Sequence, residues 1–205
     1  MVTKNVICFP FLLFFTGYAA GEVLFSTLNP TLVVQASPKA GNVLNVGEDH
    51  ITVTWSLNQS LPHGTDQQYK RITIKLCYAP LSQKDRAWRK TVDDMKKDKT
   101  CQFKIAAQPY NPNNSTVTVS WLIERDIPTA TYFIRAYASD SQDNKLAYGQ
   151  TTNKNKTTNL FEIQGITGRH ASLDIAAACF SAFSVFSLFG FFIREKWAAK
   201  RAQKK

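Results

Sequence analysis

The chain has 205 residues and a formal net charge of +10, with 25 Lys and Arg against 15 Asp and Glu. The excess is uneven: positions 22–174 hold 18 basic and 14 acidic residues, a balance of +4, whereas positions 194–205 hold 6 basic and 1 acidic, a balance of +5. A basic excess concentrated at one terminus argues against a nucleic-acid-binding protein.

Near the N-terminus, Lys4 precedes the apolar run Val6–Ala20, and small residues follow. That order predicts a secretory signal over residues 1–21, and the run is too short to favour a membrane anchor. Residues 22–174 then form a stretch long enough for one domain with its own core. Its hydrophobic period is two. Ile51, Val53, Trp55 and Leu57 alternate with Thr52, Thr54 and Ser56, and the same alternation recurs at Ile72, Ile74, Leu76 and Tyr78, at Val117, Val119 and Trp121, and at Tyr132, Ile134 and Ala136. These predict half-buried strands, with weaker ones over Leu32–Gln35, Gln102–Ala106 and Leu146–Thr151. Pro-, Gly- and Asn-rich clusters at 61–66, 108–114 and 140–144 separate them. Seven or so short strands predict an all-β ectodomain of immunoglobulin or fibronectin type III-like sandwich form. The stretch Ile127–Tyr132 resembles the tyrosine corner of such domains, and Trp55 resembles their core tryptophan.

Residues 77–101, CYAPLSQKDRAWRKTVDDMKKDKTC, hold seven Lys and Arg, four Asp and one Trp between two cysteines. If Ala87–Lys99 is helical, Trp88, Val92 and Met95 share one face, while Arg89/Asp93 and Lys90/Asp94 fall at i,i+4.

Residues 175–193 contain no charge, and about 20 apolar residues cross a bilayer core as a helix. A single span is predicted there. The basic tail at 194–205 favours a cytoplasmic C-terminus, which places 22–174 outside or in the lumen, and it suits contact with anionic membrane lipid. Ala178, Ser181, Ser184, Ser187 and Gly190 recur every three residues along the span, a row of small side chains able to seat another helix.

With that topology, Cys8 falls in the signal and Cys179 in the span. Cys77 and Cys101 remain as the pair exposed to an oxidising compartment and are expected to form a disulfide. Four glycosylation sequons, at Asn58, Asn113, Asn114 and Asn155, lie in the same region.

A catalytic site is not legible. His50, His63 and His170 have no ligand-like spacing to another His or Cys, and the phosphate-loop, HExxH, CxxC and GxSxG patterns are missing. The expectation is a non-catalytic protein without cofactor or metal. A single helix with no charged residue in the membrane also offers no conducting path of its own.

The segments SPKAGNVLNVGEDHITVTWSL, KLCYAPLSQKDRAWRKT, DKTCQFKIAAQPY, RDIPTATYFIRAYASD and NLFEIQGITGRHASLDIA resemble the plant high-affinity nitrate transporter-activating proteins, over Ser37 to about Leu188. The resemblance implies an accessory protein at the plasma membrane that pairs with a multi-spanning high-affinity nitrate transporter as a hetero-oligomer. Such a partner is needed for the stability, delivery and activity of the transporter. It also moves the charged loop from a merely solubilising surface toward a partner-binding one, with Arg89, Asp98 and Trp88 as the residues singled out. Other occupations open to such an architecture are an adhesion or receptor-like surface protein and a lumenal folding factor.

Overall fold

The structure is a computed structural model and describes residues 23–113, 116–168 and 170–203. The expected signal segment lies outside the described residues.

The alternating segments become two facing sheets. The smaller one comprises β2 (Leu32–Ala36), β4 (His50–Leu57) and β7 (Thr116–Leu122), paired antiparallel in the order β2-β4-β7. Thr and Ser side chains of β4 and β7 form its outer face, with Thr54 and Thr118 in hydrogen-bond contact at 3.0 Å. The larger sheet is built on β8 (Ala130–Ser139), which pairs along eight residues with β5 (Arg71–Tyr78). Beyond β5 lies β6 (Phe103–Pro109). The other flank of β8 is shared: β9 (Lys145–Gln150) pairs with Arg135–Ser139, and β10 (Phe161–Gln164) pairs with Ala130–Tyr132.

The core lies between the sheets. Ile51, Val53 and Trp55 from β4 meet Ile72, Ile74, Leu76, Tyr132, Ile134 and Phe161 from the larger sheet. Burying each such side chain contributes about 1.5–3 kcal/mol. Gly149 permits the closest crossing: a Cβ there would stand 2.2 Å from the Leu32 carbonyl oxygen, so β9 approaches β2 only without a side chain. The Tyr132 hydroxyl donates to the Pro128 carbonyl at 2.6 Å, closing the corner expected from the sequence.

The mostly-β expectation holds, but the larger sheet is not purely antiparallel. Two short strands that the alternation does not reveal, β1 (Asn29–Pro30) and β3 (Val43–Asn45), pair parallel to β9 and β10. Two or three residues are too few to show a period.

β8 also departs from simple alternation, because it is buried on both faces. A second apolar cluster covers its outward side: Leu28, Cys77, Ala79, Cys101, Phe133 and Tyr137, with Val23, Phe25, Met95, Tyr148 and Leu160 packed around it. The cover consists of the N-terminal strap 23–28 and the disulfide-closed loop.

After β10 the chain crosses residues 165–170 and enters α1 (Ala171–Ala202). The helix has 32 residues, a mean hydropathy of 2.0 over its most apolar window and no buried residue. At 1.5 Å per residue it is about 48 Å long, more than the hydrocarbon thickness of about 30 Å. It therefore continues through Arg194–Ala202, and the basic tail is largely helical. Ala178, Ser181, Ser184, Ser187 and Gly190 are all exposed along it, and the Ser184 hydroxyl donates to the Phe180 carbonyl at 2.9 Å.

Candidate partner-binding site

Cys77 closes β5 onto the start of β6 through a disulfide to Cys101, with the sulfurs 2.03 Å apart and a sequence separation of 24. The loop opens with a 3-10 turn over Pro80–Gln83 and continues to a second over Ala87–Arg89. The helix expected over Ala87–Lys99 stops there, because the backbone groups that would propagate it are used elsewhere. The Val92 and Thr100 N–H groups donate to Asp98 Oδ1 at 3.3 and 3.1 Å, and the Asp93 carbonyl accepts from Phe25 N–H at 2.7 Å. β-Branched Thr91 and Val92 add little helical preference to resist this. The expected shared face separates accordingly: Trp88 is 63 % exposed, whereas Met95 packs on the second apolar cluster.

Asp98 sits at the centre of the loop. Its Oδ1 also accepts from the Thr100 hydroxyl at 2.6 Å, and that hydroxyl contacts Thr91 Oγ1 at 2.7 Å. Arg89 is buried, with its guanidinium 4.3 Å above the Tyr78 ring and Nη1 donating to the Ser82 carbonyl at 3.3 Å. Thus two of the three residues singled out by sequence hold the loop from within, and Trp88 alone is presented to solvent. Its carbonyl accepts from Gln102 Nε2 at 2.7 Å, so the backbone beneath the ring is fixed.

The strap pins the far half of the loop. Ser26 N–H and hydroxyl donate to the Asp93 carboxylate at 2.8 and 2.7 Å, Met95 N–H donates to the Val23 carbonyl at 3.0 Å, and Leu24 bridges Asp94. The Asp94 carboxyl is held below the usual carboxylate range, first by its hydrogen bond with Lys97 and then by the Lys96 N–H.

Sequence reading missed what lies under the loop. Arg135 is 1 % exposed, with Phe25 4.2 Å and Phe133 5.2 Å from its guanidinium. It donates to Gln150 Oε1 from Nε and Nη2 and to the Tyr137 hydroxyl from Nη1. Burial pushes the Lys145 and Lys156 ammonium groups below their ordinary value, and the charge of Arg135 pushes both the same way while that of Asp98 opposes it. Asp98 therefore offsets a group of cations, of which Arg135 and Lys145 belong to the sheet and Lys156 to the loop between β9 and β10. The signal was available: FIRAYAS carries Phe133 and Tyr137 on the register that a half-exposed strand would give to polar residues.

Of the sequon asparagines, Asn113 and Asn155 are exposed and Asn58 is half-buried, its Oδ1 accepting from Ser60 N–H. Asn114 lies outside the described residues. His50, His63 and His170 are exposed and separate, and among the described residues no acidic, His or Cys group is arranged to hold a metal.

The described residues thus combine a disulfide-framed loop on a mostly-β domain with one C-terminal helix long and apolar enough to cross a membrane. Residues 25–168 match a family described as high-affinity nitrate transporter accessory, Ig-like domain, and the chain belongs to that family. It is 53 % identical over 165 residues to a protein of Arabidopsis thaliana named high-affinity nitrate transporter 3.1, covering 80 % of this chain and 77 % of the relative. It is 49 % identical over 178 residues to high-affinity nitrate transporter-activating protein 2.1 of Oryza sativa subsp. japonica, covering 87 % and 84 %. Among solved structures, a Niemann-Pick type C2 protein from Japanese carpenter ant overlays with a TM-score of 0.29 at 12 % identity, covering 71 % of this chain and 96 % of that one. An overlay that loose says nothing about function.

Proposed function

We propose that this protein is a non-catalytic accessory subunit that binds a multi-spanning high-affinity nitrate transporter and is required for its stability, its delivery to the plasma membrane and its uptake activity. The observation that carries the reading is the family match over residues 25–168, which runs from the strap through the disulfide loop to the last strand. In this reading residues 1–21 are removed as a signal, an immunoglobulin or fibronectin type III-like sandwich over 22–174 faces outward and carries glycans, residues 175–193 cross the bilayer, and 194–205 lie in the cytoplasm against anionic lipid. The disulfide loop is the contact surface. Arg89 and Asp98 set its shape from inside, Trp88 is presented at its surface, and closure by Cys77–Cys101 lowers the ordering entropy lost on docking. The row Ala178, Ser181, Ser184, Ser187 and Gly190 offers a second contact, helix to helix.

The test is co-expression with a high-affinity nitrate transporter. Nitrate uptake corrected for surface transporter should rise when the wild-type chain is present, and the two proteins should co-purify. Arg89→Glu and Asp98→Asn should weaken both readouts while leaving the glycans in place. Unchanged uptake and no co-purification with the wild-type chain would leave a surface receptor or a lumenal folding factor instead.

A further inference from the structure

We propose that the free edge of β7 binds the β7 of a second copy of this chain, joining the two small sheets into one continuous sheet. Among the described residues every other sheet edge is short or guarded. β6 carries Lys104, ends on Pro109 and has a register shift against β5, while β1 and β3 have two and three residues. β2 runs against β9, so close that Gly149 leaves no room for a side chain. β7 has none of these devices: its seven residues, TVTVSWL, contain no charge and no proline, and β4 is its one bonded neighbour. An edge of that length and composition presents unpaired N–H and C=O groups as a template for another strand.

The backbone shows which groups are free. Ser37 N–H donates to the Thr52 carbonyl and Asn58 N–H to the Thr31 carbonyl, both at 2.8 Å, so even-numbered residues of β4 bond toward β2. Ile51, Val53 and Trp55 therefore bond toward β7, where they stand opposite Trp121, Val119 and Val117. Ile123, just past the strand, keeps this parity, its N–H donating to the Asp49 carbonyl at 3.0 Å. The N–H and C=O groups of Thr116, Thr118, Ser120 and Leu122 are left facing away from the sheet.

Those free groups are self-complementary. A second β7, antiparallel and centred on Val119, sets Thr118 against Ser120 and Thr116 against Leu122, free groups to free groups on both strands, for about eight hydrogen bonds. No like charges meet, because positions 116–122 carry none. On the inner face, Trp121 of the second copy stands opposite Val117, beside an open hollow of about 390 Å³ lined by Trp55, Gln108, Pro109, Asn111 and Val117. Each half-buried Trp121 thereby gains an apolar neighbour from the other chain. The sequon asparagines of the preceding turn, Asn113 and Asn114, fall outside the paired stretch. A strand pair alone is smaller than the standard interface of about 1,200–2,000 Å². Anchoring by α1, long and apolar enough to cross a bilayer, offsets this by holding copies at a raised effective concentration.

The proposal is independent of the accessory reading, so the test uses the full chain in membranes that contain no nitrate transporter. In a Cys179→Ser background, Val119→Cys is oxidised in air with copper phenanthroline, oxygen taking up the two electrons and two protons that the thiols lose. The register predicts a disulfide-linked dimer on a non-reducing gel, because position 119 faces itself across the pair. Thr116→Cys, equally oxidised, should stay monomeric, since its two copies lie about 20 Å apart along the strands. A second measurement needs no cysteine: two differently tagged wild-type copies should co-purify. Thr118→Lys with Ser120→Lys, both at exposed outer positions, sets Lys opposite Lys and should abolish this, and mixing that chain with one carrying Thr118→Glu and Ser120→Glu should restore it. Wild-type copies that do not co-purify, or a cross-link no stronger at 119 than at 116, would overturn the proposal. So would self-association that survives the Lys pair or that arises only when a transporter is co-expressed, because the contact would then run elsewhere.

Discussion

Asp98→Asn isolates the charge at the centre of the loop while preserving its shape. Asp98 Oδ1 accepts three hydrogen bonds, from Val92 N–H at 3.3 Å, Thr100 N–H at 3.1 Å and the Thr100 hydroxyl at 2.6 Å. An amide oxygen can occupy the same point, so the geometry survives, but hydrogen bonds to a charged acceptor are about twice as strong as neutral ones, a difference of about 1 kcal/mol each. Asp98 is half-buried and its bond to Val92 is long, so solvent screening reduces the total to about 2 kcal/mol. The substitution also leaves Arg135, Lys145 and Lys156 without the carboxylate that opposes their mutual repulsion. For a domain of this size, about 2 kcal/mol corresponds to a Tm lower by about 4–8 °C. The assay is thermal unfolding of the full chain in detergent, followed by near-ultraviolet circular dichroism, with trypsin susceptibility at Lys96, Lys97 and Lys99 as a local readout. A variant that melts with wild type and resists trypsin equally would refute the assignment of Asp98 as the organiser of the loop.

Loss of the disulfide should cost about 3.5 kcal/mol in the chain-entropy model, with Cys77→Ser, Cys101→Ser and the double variant alike in chemical denaturation; free-thiol labelling of both cysteines in the untreated protein would contradict the bond. Tyr132→Phe removes the donor to the Pro128 carbonyl and should destabilise by about 1–3 kcal/mol, read from the urea midpoint, and an unchanged midpoint would deny the corner a stabilising role. Tyr69, Tyr110, Tyr132 and Tyr137 are held above the ordinary tyrosine value of 10.0, chiefly by burial. A raised folded-state value means the contribution is intact below pH 10 and lost as the pH climbs past it, whereas Lys145 and Lys156, shifted down, act in the opposite sense below 10.5. Absorbance at the phenolate band should therefore show these four ionising only with alkaline unfolding, and ionisation of all tyrosines in one step near pH 10 with native circular dichroism would exclude their burial. Replacing the span by polyleucine should weaken association with the transporter if the small-residue row is a contact, and full association would make the helix a plain anchor.

The sheets were legible because β4, β5, β7 and β8 are each long enough to show period two and each buries one face in a common core. The disulfide was legible from compartment and elimination. The loop was misread as helix because its i,i+4 spacing satisfies a local rule, whereas the competing acceptors, Asp98 and the strap, act at positions that local periodicity does not compare. Arg89 illustrates the same limit. It was singled out from the loop sequence, but its position over Tyr78 depends on β5, where Tyr78 lies eleven residues back in the chain and on another element. Arg135 was missed for the converse reason: a charged residue inside a strand reads as a solvent-facing position unless the aromatic neighbours on its register, Phe133 and Tyr137, are taken as the sign of a cover.

The strap makes the candidate site a product of the whole domain. Its parts come from residues 23–28, 77–101 and 133–150, so the loop cannot take its shape until the last of these has been synthesised and paired. Contacts so distant in sequence form late in folding. A domain truncated before β9, or one whose strap is displaced by an N-terminal fusion, would retain the charged residues without the surface they build. If a partner reads the shape of this loop, as proposed above, it would engage the finished domain and pass over an unfinished one without any separate sensor.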